Sequence, residues 1–296
     1  MRINNNIMAL NSHRQYGINS NSIGKNVEKL SSGYRINRAG DDAAGLAISE
    51  KMRAQIRGLN MASKNSQDAI SLVQTAEGAL QTSHDILQRM RELAVQAASD
   101  TNQVEVDREA LNAEFQQLIA EINDTAEKTK FNNMGLIDGN FASDKFIVQS
   151  GANMSDELEI NIDKMDWDTI TKDTTYSRDA SVDGDITVNH DSGNSEKVDL
   201  HTQKNASQAI SIVNTAINVV STQRSDLGAL QNRLEFKIQN LDISAENLQA
   251  AESRIRDADM AKMMTQFTRD NILFQASTAM LAQANALPQG VLQLLG

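Results

Sequence analysis

The sequence predicts a mainly α protein, a long antiparallel coiled-coil-like helical rod with a small β region. The first observation is a ladder in which Val213, Val220, Leu227, Leu234, Leu241, Leu248 and Ile255 follow one another at intervals of seven without a miss. A stripe of that period drifts around a straight helix and keeps facing one partner only by supercoiling, so this helix needs another helix. The second is composition: one Pro, one Trp and 4% aromatic residues suit the modest aliphatic stripes of long helices better than compact cores, which lean on aromatic area.

Between the ladder positions lie Ile217, Arg224, Gln231, Ile238, Ala245 and Glu252, a half-polar row that fixes register more than it adds stability. At 1.5 Å per residue a helix of about 50 residues is roughly 75 Å long. The partner must be of matched length.

Taken in order, Ile3, Ile7 and Leu10, then Ile23, Val27, Leu30 and Tyr34, form two runs at spacings of three and four with Gly17 between them. This is one thin apolar stripe, marginal for a helix alone in water. The Gly and Ser cluster over 31–40 breaks it. Asp41 or Asp42 then caps the next helix, accepting backbone N–H groups at the positive end of its dipole.

That helix, from about Ala43 to about Ala98, is the partner. Met52, Ile56, Leu59, Ile70, Val73, Leu80, Leu87, Met90 and Ala94 repeat at spacings that keep a single stripe. Asn102 with Glu105 resembles a capping box for a third helix, whose stripe is Leu111, Phe115, Leu118 and Ile122 and which fades near Lys128. From Phe131 to about Asn205 the pattern turns to alternation at Leu158, Ile160 and Ile162, with a hairpin signal at Asp183-Gly184. A last helix runs from beyond Asp259 to about Leu295. Met264, Phe267, Phe274 and Leu281 mark one face, and Leu273, Met280, Leu287, Val291 and Leu294 another. A helix apolar on two faces is buried on both; the helix of residues 3–34 covers one, so the other calls for neighbouring subunits.

Several function classes are excluded. A net charge of −11 and a pI near 4.9 repel phosphate backbones, so no nucleic acid is expected. With no Cys there is no disulfide, thiolate metal site or Cys nucleophile. The first ten residues lack the apolar core and cleavage site of a secretory signal. Residues 271–296 carry no charge, yet Gln275, Gln283, Asn285, Gln289, Gln293 and Pro288 make membrane insertion too costly. His13, His84, His190 and His201 lie in four different segments without ligand spacing, and Asp179, Asp183 and Asp185 lack the calcium-loop pattern. No phosphate loop, nucleophile elbow or paired carboxylate pocket is visible. An enzyme is not expected, and neither is a cofactor.

Two stretches carry a resemblance. Residues 30–49, Leu30-Ser31-Ser32-Gly33-Tyr34-Arg35-Ile36-Asn37-Arg38-Ala39-Gly40-Asp41-Asp42-Ala43-Ala44-Gly45-Leu46-Ala47-Ile48-Ser49, closely resemble the amino-terminal signature of bacterial flagellins. Ala250-Ala251-Glu252-Ser253-Arg254-Ile255-Arg256-Asp257-Ala258-Asp259-Met260-Ala261 resembles the carboxy-terminal one. The resemblance covers about 1–135 and 206–296, and the long central insertion of many flagellins is absent, as in a minimal form. It implies an inner terminal coiled-coil domain of 1–41 with 256–296 and an outer helical rod domain of 42–255 that includes a small β-hairpin region at 131–205.

It also implies self-assembly into the filament of the extracellular bacterial flagellum, after secretion through the flagellar type III export machinery. Implied partners are an export chaperone and a flagellin-binding assembly factor on the carboxy-terminal region, the filament cap and the hook–filament junction proteins. Candidate assembly residues are Ile3, Ile7, Leu10, Val27, Leu30, Met264, Phe267, Phe274, Met280, Leu281, Leu287, Val291 and Leu294. Gln88, Arg89, Glu92, Leu93 and Glu114 resemble the flagellin surface recognised by the innate receptor TLR5. Helical spacing turns Arg89, Glu92 and Gln96 away from Leu87, Met90 and Ala94, with Leu93 at the edge. Junction proteins share parts of both ends and would form no long filament alone; a chemoreceptor signalling hairpin would need a membrane anchor.

Overall fold

The computed structural model describes residues 6–99, 106–143, 145–172 and 198–295, and the side chains of these except 142, 143 and 287–295. Five long helices dominate: α1 (Ile7–Ser32), α2 (Ala43–Ala97), α3 (Asp107–Lys128), α6 (Gln203–Arg256) and α7 (Met260–Leu295). Between α3 and α6 lie β1 (Lys130–Phe131), β2 (Met134–Gly135), the short α4 (Asn140–Ser143), β3 (Phe146–Gln149), β4 (Glu157–Ile160) and the short α5 (Trp167–Ile170). The chain forms two compact units, residues 1–57 with 244–296 and residues 58–243, and the division falls within α2 and α6.

The helix ends follow local chemistry. Asn6 caps α1, its side chain accepting from the Ala9 N–H at 3.1 Å, and Gly33 closes it in the left-handed conformation at φ 73°, which glycine adopts without penalty. Gly17 does not interrupt α1. Of the two candidate caps for α2, Asp42 takes the Gly45 N–H at 2.8 Å, while Asp41 turns back to accept from the Asn37 and Arg38 N–H groups. Those two bonds hold the Asp41 carboxyl below its ordinary range. The expected capping box at Asn102 and Glu105 lies outside the described residues, as does the hairpin signal at Asp183-Gly184. Val106, at the start of α3, makes no side-chain cap.

In the unit of residues 58–243, α2 and α6 run antiparallel: the Ser63 hydroxyl bonds Asp242 at 3.1 Å and Arg224 pairs with Glu77 at 3.8 Å, so one number falls as the other rises. From Val213 to Leu241 the ladder faces the core as predicted, whereas Leu248 and Ile255 are half-buried and Ala245 and Glu252 of the intervening row are buried instead. Val213, Val220, Leu227 and Leu234 are fully buried, with Val73, Leu80, Leu87, Met90 and Ala94 of α2 in the same cluster. Phe115 and Ile122 of α3 join them. Because α3 covers α2 over its last turns, the buried arc widens there to take in Leu93 and Ala97. Arg108 reaches from α3 to the end of α2, donating to the carbonyls of Ala97 and Ser99 at 3.0 and 3.1 Å, groups that a helix end otherwise leaves unbonded.

Among the described residues the β portion has two antiparallel pairs, β1–β2 and β3–β4. Asn132 and Asn133 both take positive φ, the backbone of the two-residue turn that matches strand twist. Leu158, Ile160 and Ile162 are buried, as their alternation predicts. The β3–β4 turn sits on α2 where Gly58 leaves no side chain: a Cβ there would lie 2.9 Å from that of Ala152.

Candidate self-assembly surface

In the unit of residues 1–57 with 244–296, α1 and α7 pair antiparallel. Asn26 donates to Asp270 at 2.6 Å, Asn19 donates to the Ser277 hydroxyl at 2.6 Å, and Asn6 donates to the Ala284 carbonyl at 2.7 Å. Tyr16 lies against Phe274 with ring centroids 4.9 Å apart. The α7 residues at the centre of this seam are Met263, Asp270, Ser277 and Ala284, all buried and seven apart. Their row is largely small or polar, so a reading of apolar stripes passed over it, although its period was visible.

The apolar side chains go elsewhere. Phe267, Phe274 and Leu281 are half-buried at the margin of the seam and Leu30 is half-buried on α1. Ile7, Leu10, Val27, Met264 and Met280 are exposed, together with Met8, Ile18, Met260, Ile272 and Leu273. Met264 thus departs from the stripe of Phe267, Phe274 and Leu281. It lines an open groove with Thr265, Thr268, Arg269, Ile272 and Leu273. No residue of α1 is fully buried. Ile3 lies outside the described residues; Leu287, Val291 and Leu294 lie in α7, their side chains undescribed.

Where α1 gives way to α2 and α6 to α7, the two connections are zipped together. Arg35 N–H bonds the Arg256 carbonyl at 2.7 Å, Ala258 N–H bonds that of Gly33 at 2.9 Å, and Tyr34 bridges to Asp257. The guanidinium groups of Arg53 and Arg256 both lie over the Tyr34 ring, 5.3 and 5.0 Å from its centroid, a cation–π arrangement. Arg53 also donates to the Tyr34 hydroxyl and to Glu252, each at 2.9 Å, while Arg256 pairs with Glu50.

The polar strip of residues 58–243 is partly as expected. Gln88, Arg89 and Glu92 are exposed and Glu114 half-buried. Arg89 bonds Glu114 at 2.9 and 3.0 Å and Glu92 at 3.1 Å, and both carboxylates raise its already high pKa. Gln88 bonds His84 at 2.8 Å. Leu93 is a correction: it is 1% exposed, inside the core that α3 closes over α2, and is not at the edge of the surface.

Among the described residues, no helix is long and apolar enough to cross a membrane and no group of His, Asp and Glu is placed to hold a metal ion. The α1–α7 pair buries Asp270 and Ser277 and leaves Met264, Ile272, Leu273 and Met280 exposed. The geometry is that of a structural subunit.

The sequence relationships give the same class a family. Residues 3–142 match the bacterial flagellin N-terminal helical region and residues 210–295 the C-terminal helical region. The chain is 56% identical over 295 residues to a flagellin of Halalkalibacterium halodurans and 51% identical over 315 residues to a flagellin of Bacillus subtilis, with all of each chain covered in both cases. A solved structure of Bacillus cereus flagellin is 29% identical, with 64% of this chain and 94% of that one covered and a TM-score of 0.47. The chain belongs to the bacterial flagellin family. It is a short form, a structural subunit that polymerises with copies of itself into the extracellular flagellar filament, and not an enzyme.

Proposed function

We propose that filament assembly runs through the apolar residues displayed by the terminal pair: Ile3, Ile7, Leu10, Val27 and Leu30 on α1, and Met264, Phe267, Phe274, Met280, Leu281, Leu287, Val291 and Leu294 on α7. The observation that carries this reading is the inverted pair itself, with Asp270 and Ser277 buried while Met264, Ile272, Leu273 and Met280 are exposed. Apolar area removed from water contributes roughly 25 cal/mol per Å², and in this reading the side chains left exposed on the pair are covered by other subunits. In this reading residues 1–41 with 256–296 are the inner coiled-coil domain and 42–255 the outer domain with its small β region.

The chain reaches the filament through the flagellar type III export machinery. An export chaperone and a flagellin-binding assembly factor cover the carboxy-terminal region before export, and the cap and hook–filament junction proteins are its neighbours at the filament ends. The free subunit is recognised by TLR5 through Gln88, Arg89, Glu92 and Glu114, without a direct contact from the buried Leu93.

Electron microscopy of the purified chain after a precipitant seed tests the assembly reading. Wild type forms long filaments and Leu273→Glu, which puts a charge on an exposed side chain and keeps the backbone carbonyl that Asn19 of α1 bonds at 3.3 Å, does not. Long filaments from both would remove this face from assembly.

A further inference from the structure

We propose that Met8, Met260, Met264 and Met280 form a peroxide-sensitive modification site that switches filament assembly off. The proposal rests on the reading of the α1–α7 surface given above. With no Cys among its residues, the chain has no thiol to react first with a peroxide, and the thioether sulfur of Met becomes a leading target. On the α1–α7 pair Met8, Met260, Met264 and Met280 are 60%, 47%, 50% and 59% exposed and Met263 is buried in the seam; of the methionines described elsewhere, Met61 and Met154 are exposed, Met52 and Met134 half-buried, and Met90 and Met165 buried.

The four exposed side chains stand among the residues assigned to assembly. Met8 adjoins Ile7; Met260 precedes Met264 by one turn; Met264 lines the groove with Ile272 and Leu273; Met280 lies two turns beyond Leu273. A flexible thioether suits an adaptable apolar contact. Oxidation reverses that character. A sulfur lone pair attacks one oxygen of hydrogen peroxide, the O–O bond breaks and an S–O bond forms. The proton passes to the departing oxygen, which leaves as water, so sulfur is oxidised by two electrons and the peroxide reduced. The sulfoxide is polar, and removing it from water without a partner is unfavourable. Subunits oxidised before assembly therefore lose contact surface, while those already in a filament have these sulfurs covered.

The test treats full-length monomer and preformed filament with hydrogen peroxide, locates sulfoxides by mass spectrometry and measures the critical concentration for seeded assembly. Oxidation should reach Met264 and Met280 in the monomer but not in the filament, and should reach Met154, 95% exposed on the β3–β4 turn, in both. Oxidised monomer should need about tenfold more protein to assemble, and methionine sulfoxide reductase should restore it. The variant with all four residues changed to Leu, or Met264→Leu with Met280→Leu if helicity falls, should assemble equally well with or without peroxide. Unimpaired assembly of oxidised wild type, or equal peroxide sensitivity in the Leu variants, overturns the proposal. If Leu273→Glu nevertheless blocks assembly, only the oxidation site is lost; if it assembles normally, the assembly surface is lost as well.

Discussion

Asn26 donates a hydrogen bond to the buried carboxylate of Asp270 at 2.6 Å, at a point in a helix seam where an apolar pair would give more stability. A polar pair in such a position sets register at a cost in stability. Asn26→Leu removes the donor and leaves Asp270 with Arg269 at 3.4 Å; an unmet buried acceptor of this kind costs about 1–3 kcal/mol. Filaments of the variant should melt at lower temperature, and an unchanged melt would show that the bond does not hold the pair.

The same weakness predicts how the free subunit behaves. No α1 residue is buried, so the pair offsets little of the ordering cost without neighbours. Limited proteolysis of the monomer should remove both ends and leave about 43–255, while filament resists. Equal protection of α1 and α7 in monomer and filament would contradict this.

Leu234 is the middle of the seven-residue ladder and is fully buried. Leu234→Asp places an unpaired carboxylate among apolar side chains, which costs several kcal/mol, roughly 3 or more. Helical content and thermal midpoint should fall together in circular dichroism. A melt matching wild type would mean that the site admits water.

Asp166 caps α5, accepting from the Thr169 N–H at 3.2 Å and pairing with Lys164 at 2.6 Å. Burial raises its pKa, but the bonds from Lys164 and Thr169 outweigh burial and leave it below its ordinary 3.8. The folded state thus binds this proton less readily than the unfolded chain does. Its contribution is present above the unfolded value and is lost as pH falls through the folded one. Asp166→Ala should cost about 1 kcal/mol at neutral pH, and the gap from wild type in urea midpoint should narrow below about pH 4. A gap that is constant with pH would show that the carboxylate charge is not what stabilises α5.

The helices were legible because burial on one side imposes a period. Val213 to Leu241, and Val73 to Ala94, had to be apolar at helical spacing to be covered, and their covering followed. What escaped that reading is where polar groups are buried. Asp270 and Ser277 belong to the seam although their residue types point to solvent. Arg108, 4% exposed, is in the interior because the carbonyls ending α2 need donors, a demand invisible until α3 is placed. Leu93 is misplaced for a related reason: the spacing of Leu87, Met90 and Ala94 draws one narrow stripe on α2 with Leu93 at its edge, and the covering by α3 makes the buried arc wider than that stripe. The assembly surface was half legible. The surplus of apolar residues on α7 could be read directly, but which of them turn outward depends on the polar row that faces α1.

Arg89 lies across from Glu114 and Glu92 on an exposed face, so its ion pairs contribute little to folding. A solvated helix face would look much the same, and the distinguishing quantity is binding. An exposed guanidinium between two carboxylates presents a planar donor set to a partner, and Arg anchors are frequent among hot spots. Arg89→Ala should therefore leave the thermal midpoint near that of wild type while weakening TLR5 activation by monomer at least about tenfold, roughly 1.4 kcal/mol. Glu114→Ala, which removes the carboxylate orienting Arg89 at 2.9 Å, should weaken activation in the same direction. Receptor reporter cells given matched doses decide the matter. Superimposable dose–response curves for wild type and Arg89→Ala would take Arg89 out of the contact, and silence from wild type would remove the activity altogether.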